Sequence, residues 1–246
     1  MAIKTAIYKG TPYLSPVGVR AGEALGNTSQ MTLSVTTEKK EVADFQNPGG
    51  GLDDSFERFK SATVAFKFRH VSATVLALAL GGTATAVVAA AVANEAHTVV
   101  TLDRLIDFNH LPDPAIAPVV TNVAGTTTYV AGTDYVVKRS GIVVLSTGAI
   151  TAASTIHVDY TKLKAQRIQA LVNLIQEGRV LFDGVNERSN QPFVAVLHRV
   201  KFGPAKSLEF IGDDFLSFDV EGELLVDDSV TGVGLSQYME VLVGGI

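Results

Sequence analysis

The sequence predicts a mainly β chain: two packed antiparallel sheets, a sandwich or half-barrel, flanked by a short helix and carrying a small β-rich insertion or elaboration. Three observations predict it. Met31, Leu33 and Val35 alternate with Thr32, Ser34 and Thr36, and Ala62, Val64, Phe66 and Phe68 alternate with Thr63, Ala65 and Lys67. A period of two is that of a half-buried strand. The two runs are separated by a long loop in which Pro48 precedes Gly49, Gly50 and Gly51, so they read as one antiparallel hairpin. Finally, residues 119–160 hold short apolar runs divided by Gly125, Gly132, Gly141 and Gly148, the roughly 8–12-residue rhythm of a small sandwich or meander.

Composition narrows the function classes. Hydrophobic residues make up 47% of the 246, enough for a sizeable core, while charged residues are only 18%. That low share favours burial of further surface between subunits. The formal net charge is −5 and lysine and arginine form no block, which argues against a sequence-reading DNA binder. With no cysteine, disulfides, zinc-thiolate sites and cysteine nucleophiles are excluded. The first residues have no apolar stretch of signal-peptide length. The most apolar window, Val71–Val100, is broken by Gly81 and Gly82. It reads as a short helix and a buried strand rather than a membrane span of about 20 residues.

In chain order, residues 1–29 are punctuated by Pro12, Pro16, Gly18, Gly22 and Gly26 and read as an extended arm or a disordered tail. The hairpin follows. Ser72–Leu80 reads as a helix capped by Ser72 and ended by Gly81, with Leu76 and Leu80 on one face. Glu95–Ile106 reads as strand or edge. Pro112, Pro114 and Pro118 mark a linker, which places the core in 1–118 and 161–246 and the insertion in 119–160. Ile168, Leu171, Val172 and Ile175 have helical spacing, so residues 163–177 read as an amphipathic helix ended by Gly178. Strands are expected at Arg179–Phe182, before a turn at Asp183-Gly184, then at Phe193–Phe202, Leu208–Ile211 and Phe215–Val226. In the last of these, Leu216, Phe218, Val220, Leu224 and Val226 share one face, and Ser217, Asp219, Glu221 and Glu223 the other. Repeated around a ring, Asp219, Glu221 and Glu223 would form an acidic wall that repels polyanionic DNA.

No catalytic constellation emerges. None of His70, His97, His110, His157 and His198 pairs with another at metal-ligand spacing, and each is expected to be a packing or surface residue. Nucleophile-elbow, P-loop and dinucleotide fingerprints are absent. Asp53-Asp54, Asp213-Asp214 and Asp227-Asp228 would point to opposite faces of a strand and read as solvated turns. Asp103, Arg104 and Asp107 read as a local ion pair. Hence no catalytic residue, cofactor or metal site is expected.

Three stretches resemble the tail tube (major tail) proteins of long-tailed bacteriophages. The first is Gly26–Lys60, with Gly26, Asn27, Ser29, Leu33, Ser34 and Glu38 leading into the Pro-Gly-Gly-Gly loop. The second is Thr128–Val137 with His157–Tyr160. The third is Leu181–Asn186 with His198–Phe202 and Gly212–Phe215. The resemblance implies a non-enzymatic virion structural protein, assembled in the host cytoplasm into stacked, hexameric rings that form a tail tube. Double-stranded DNA would pass through the lumen without specific binding. Tape measure, tail terminator and distal tail proteins are the implied partners, with no membrane. It maps an inter-ring stacking loop to 42–56, including Asp44, Phe45, Pro48, Gly49, Gly50, Gly51, Leu52, Asp53 and Asp54. It also maps bridging arms to Met1–Gly22 and Val230–Ile246. Two other readings remain open: a surface adhesion or receptor-binding β module centred on 119–160, and the tube protein of a contractile injection system.

Overall fold

The structure, a computed structural model, describes residues 5–244. It is mainly β, with several antiparallel sheets and a single short helix. From the N-terminus, β1 (Tyr8–Ser15) and β2 (Glu23–Ala24) precede the long hairpin of β3 (Thr28–Ala43) and β4 (Leu52–Phe68). Helix α1 (Ala73–Ala79) comes next, then β5 (Thr83–Val87), β6 (Ala90–Thr98), β7 (Leu105–Asp107), β8 (Val119–Asn122), β9 (Tyr135–Lys138) and β10 (Gly141–Val144). The chain ends with β11 (Thr155–Lys162), β12 (Ala165–Gln169), β13 (Gln176–Asn186), β14 (Gln191–Phe202), β15 (Phe218–Leu224) and β16 (Met239–Val243). It divides into two compact units, residues 1–84 with 168–246, and residues 85–167. β5 and β12 pair as a separate two-stranded sheet.

The first unit is built on one eight-stranded sheet in the order β2-β1-β13-β14-β15-β4-β3, with β16 also paired to β14. The sheet forks at β14, whose one edge carries β16 at Phe193–Leu197 and β15 at Val200–Phe202. Val64, Phe66 and Phe68 of β4 turn inward with Phe202, Phe218, Val220 and Leu224. Val75, Leu78 and Ala79 of α1 close over them. Removing an aromatic side chain of this kind from water contributes about 1.5–3 kcal/mol. The Phe66 and Phe68 rings stack at 5.7 Å, and Phe68 meets Phe218 at 5.8 Å. The expected helix is present. Val75 N–H donates to Ser72 Oγ at 3.2 Å, the bond that makes serine a good N-cap. Its buried face is Val75, Leu78 and Ala79 rather than Leu76 and Leu80, which are only half-buried.

Several expectations fail for identifiable reasons. Residues 163–177 are not a helix. Ala165–Gln169 is strand β12, and Leu171 takes a left-handed φ of 60°. The donors a helix would use internally are drawn elsewhere: Leu171 N–H to Leu80 O and Asn173 N–H to Gly81 O, both at 2.9 Å. Gly178 sits inside β13, where a Cβ would come within 2.6 Å of Leu14 Cδ1. The Asp183-Gly184 turn does not exist, because β13 runs on to Asn186 and the reversal falls at 187–190. Leu208–Ile211 is irregular, and the strand expected at Phe215–Val226 is confined to Phe218–Leu224. The alanine-rich strands β5 and β6 are largely exposed, not buried.

Parts of both expected arms are strands of the sheet. Tyr8–Ser15 pairs along its whole length with β13, and Met239–Val243 pairs with β14. These segments complete their own sheet. Met1–Lys4 and Gly245–Ile246 lie outside the described residues.

The second unit, 85–167, is wider than the expected 119–160. β6 pairs with β11 and β7 with β10, so residues before the prolines belong to it. The proline segment itself is bound in, with Leu163 N–H donating to Leu111 O at 2.8 Å. Its sheets, β7-β10-β9 and β6-β11-β8, share a core that includes Phe108, Val120, Ile142, Ile156 and Val158. Residues 126–130, one of the short runs between the glycines, form no strand but only an isolated bridge of Thr128 to Thr121. No helix among the described residues is long and apolar enough to cross a membrane.

Candidate functional site

The hairpin of β3 and β4 is longer than its neighbours. β15 covers β4 only over Thr63–Phe68. Beyond the register shift between Thr36 and Thr37, the two strands continue as a ribbon whose side chains are almost all exposed. Seven paired residues, Thr37–Ala43, at about 3.3 Å each carry it roughly 23 Å outward. Its root is held by the Phe59 ring against Tyr238, with centroids 4.8 Å apart. Farther out, Glu38 accepts from Arg58 and Lys40 at 2.7 and 2.8 Å. These exposed pairs order the ribbon more than they stabilise it.

The loop proper is 44–51, shorter than 42–56, because Val42, Ala43 and Leu52–Phe56 are strand. Asp44 organises the tip. Its Oδ1 accepts from Gln46 N–H at 2.8 Å and Asn47 N–H at 3.2 Å, and its Oδ2 from Asn47 Nδ2 at 2.5 Å. The Asn47 side-chain bond, then the backbone bonds, hold its carboxyl below the usual range. Gly49, Gly50 and Gly51 all take positive φ, and a Cβ on any of them would meet open space. The glycines therefore serve backbone conformation rather than close packing. Phe45 stands 90% exposed, with Leu52 and Phe56 also exposed on β4. Asp53 and Asp54 open β4 beside the tip.

The acidic stripe is where the sequence placed it. Along β15, Phe218, Val220 and Leu224 are buried and Asp219, Glu221 and Glu223 exposed. Each acid of the stripe has a lysine at hand. Asp219 is directly opposite Lys67 on β4, and Glu223 is opposite Lys201 on β14. Glu221 pairs with Lys206 Nζ at 2.7 Å. Directly opposed residues share a sheet face, so this face is a mixed-charge surface.

A polar network in the second unit escaped sequence reading. Glu95 and His97, two apart on β6, pair at 2.8 Å with little exposure. Glu95 also accepts from Tyr160 Oη at 2.7 Å and from Asn109 N–H at 2.9 Å. Burial raises the Glu95 carboxyl, but the bonds from Asn109, Tyr160 and His97 outweigh it and leave the group below its ordinary value. Burial, and then the neighbouring carboxylate, push the Tyr160 phenol up. The bonds from Asn109 and Tyr160 fasten β6 to a loop and to β11, while the contact with His97 stays within β6. The only sequence signal was two polar residues at i and i+2 in a strand; Tyr160 lies 65 positions away. The expected Asp103–Arg104–Asp107 ion pair is not formed among the described residues; Asp103 Oδ1 instead accepts from Ser146 N–H at 3.0 Å. The described residues contain no group of three or more histidines and carboxylates placed to hold a metal ion.

A search of curated proteins finds no match to this chain. Residues 6–242 match the family described as "Protein of unknown function UCP028589". A match of that extent takes in both units and the projecting ribbon, and the chain belongs to that family.

Proposed function

We propose that this chain is a structural protein whose copies assemble into stacked rings, forming the tail tube of a long-tailed bacteriophage and a conduit for its genome. The reading rests on the resemblance to tail tube proteins of Gly26–Lys60, of Thr128–Val137 with His157–Tyr160, and of Leu181–Asn186 with His198–Phe202 and Gly212–Phe215. One observation carries it furthest: β3 is the last strand of its sheet and continues into a ribbon exposed on both faces. A long unpaired edge is a template for another strand, and a two-stranded ribbon alone in water is only marginally stable. Both are completed when another copy lies against them. Heterologous contacts of this kind give closed rings or open filaments, and a tube of rings uses both. In this role the chain carries out no catalysis. Its partners are further copies of itself, the tape measure, terminator and distal tail proteins, and DNA that passes without specific binding.

Negative-stain microscopy of the purified protein tests the reading. Rings or tubes are expected at high concentration or with tail initiator proteins added. A strictly monomeric species under both conditions would overturn it. The compact second unit favours an additional surface role for residues 85–167, checked by whether that isolated segment binds intact host cells.

A further inference from the structure

The projecting tip and a cleft elsewhere in the first unit have opposite charge and cannot meet within one chain. Residues 41–57 contain Glu41, Asp44, Asp53, Asp54 and Glu57 and no lysine or arginine. Of these, Glu41 is paired with Lys39, and Asp44 is engaged in the loop itself. Asp53 and Asp54 remain at the outer end with no basic partner among the described residues. The cleft is a concavity of about 270 Å3 between β1, β13 and the segment leading into β2. Arg20 and Arg179 both line it, beside Tyr13 and Ser15, with Asp183 as the one carboxylate. Among the described residues neither guanidinium has a hydrogen-bond or ion-pair partner. Two unpaired arginines in one recess are suited to carboxylates, since the guanidinium fork matches them in charge and geometry.

The covalent path keeps a chain's own tip from its own cleft. The cleft residue Gly22 is followed within six residues by Thr28, where β3 begins. The sixteen residues of β3 then run, at about 3.3 Å each, roughly 50 Å to the tip. The near end of the hairpin is thus tied to the cleft region, and the acidic end is held a strand's length away.

We propose that the acidic tip of one copy docks in the arginine cleft of a second copy, Arg20 and Arg179 receiving Asp53, the extra residue where the β3–β4 register shifts between Ala43–Leu52 and Val42–Asp54, with Asp54 beside it. The contact joins two different surfaces of the same chain, so it repeats head to tail and does not saturate in a dimer. Being ionic and near the surface, it weakens as salt shortens the Debye length. This inference rests on the self-assembly reading and names the surface that receives the ribbon.

The test uses the full chain and two readouts. In the first, R20E/R179E should lower pelletable assembly at least tenfold with an unchanged circular dichroism spectrum. Adding D53R/D54R to that variant should restore assembly. In the second, the absence of native cysteine allows D53C and R179C to be placed in one chain, and mild oxidation should give a ladder of covalently linked chains. If the wild type assembles while R20E/R179E assembles equally well, or if the charge-swapped variant folds but stays unassembled, the docking is wrong and the tube reading survives. A ladder without rings or tubes supports the docking and removes the tube reading. Absence of both the ladder and the charge effect overturns the docking outright.

Discussion

Tyr160 on β11 donates its phenolic proton to Glu95 on β6 at 2.7 Å, and that bond ties two strands of the second unit on the buried side of their sheet. The Tyr160 ring also stacks on Phe108 at 4.8 Å. Replacing Tyr160 with Phe keeps the stack but removes the bond to the charged acceptor and also the acceptor of His110 N–H at 3.2 Å, at a cost of at least about 1.5–3 kcal/mol. Urea unfolding followed by hydrogen exchange at residues 85–167 measures it. A loss under 0.5 kcal/mol would show that the bond contributes nothing net.

The same carboxylate sets a pH dependence. Glu95 is held below its ordinary value in the folded chain. Its contribution is therefore fully present above the unfolded pKa of about 4.3 and is lost as pH falls through the lower folded value. The second unit should lose protection from exchange on acidification in that window. Glu95→Gln should flatten this acid dependence while lowering stability at neutral pH. An unchanged acid profile in Glu95→Gln assigns the dependence to other groups.

Deleting Pro48–Leu52 should leave the sheet folded but stop assembly. Those residues touch little of their own chain: a Cβ on any of the three glycines meets nothing within 4 Å. Circular dichroism should match the intact chain while sedimentation shows only small species. Intact polymers from the deletion variant would contradict the ribbon's role.

On the acidic strand, lysine substitutions would set like charges opposite Lys67 and Lys201 and strain the sheet. The informative variant is D219N/E221Q/E223Q. It should retain the wild-type melting temperature within about 2 °C, a surface-sized change, and still assemble. Under the conduit reading it should slow genome delivery. Infection at the normal rate would remove the channel role of this face.

Gly10 faces Gly184 across the β1–β13 pairing. A Cβ at Gly10 would fall 2.2 Å from Asp183 O, a backbone atom that cannot swing aside. Gly10→Ala should therefore destabilise the first unit by about 1–3 kcal/mol, as overpacking does. Thermal unfolding reads this directly, and a neutral result would mean that β1 shifts freely on its neighbour.

Local patterning carried much of the fold. The alternation in 62–68 and 218–224 identified two strands and their buried faces, because side-chain period and burial are one physical fact in a sheet; that in 31–36 identified a strand, but one at the sheet edge whose Leu33 and Val35 stay exposed. Ser72 and Gly81 bounded the helix for an equally local reason, capping and a left-handed end. The Pro-Gly-Gly-Gly tip was legible because φ-permissive residues cluster where a chain reverses without packing.

Where local signals competed, tertiary structure decided. Ile168, Leu171, Val172 and Ile175 have helical spacing, yet the carbonyls of Leu80 and Gly81 at the end of α1 take donors a helix would need. The glycine- and proline-rich start resembled an arm, yet β13 offered Tyr8–Ser15 a full-length partner. The same holds for the Glu95–Tyr160 bond, the lysines facing the acidic stripe and the cleft shared by Arg20 and Arg179. Each joins residues far apart in the chain. Sequence periodicity determines which face of a strand is buried; only the assembled sheet determines which distant charge lies opposite it.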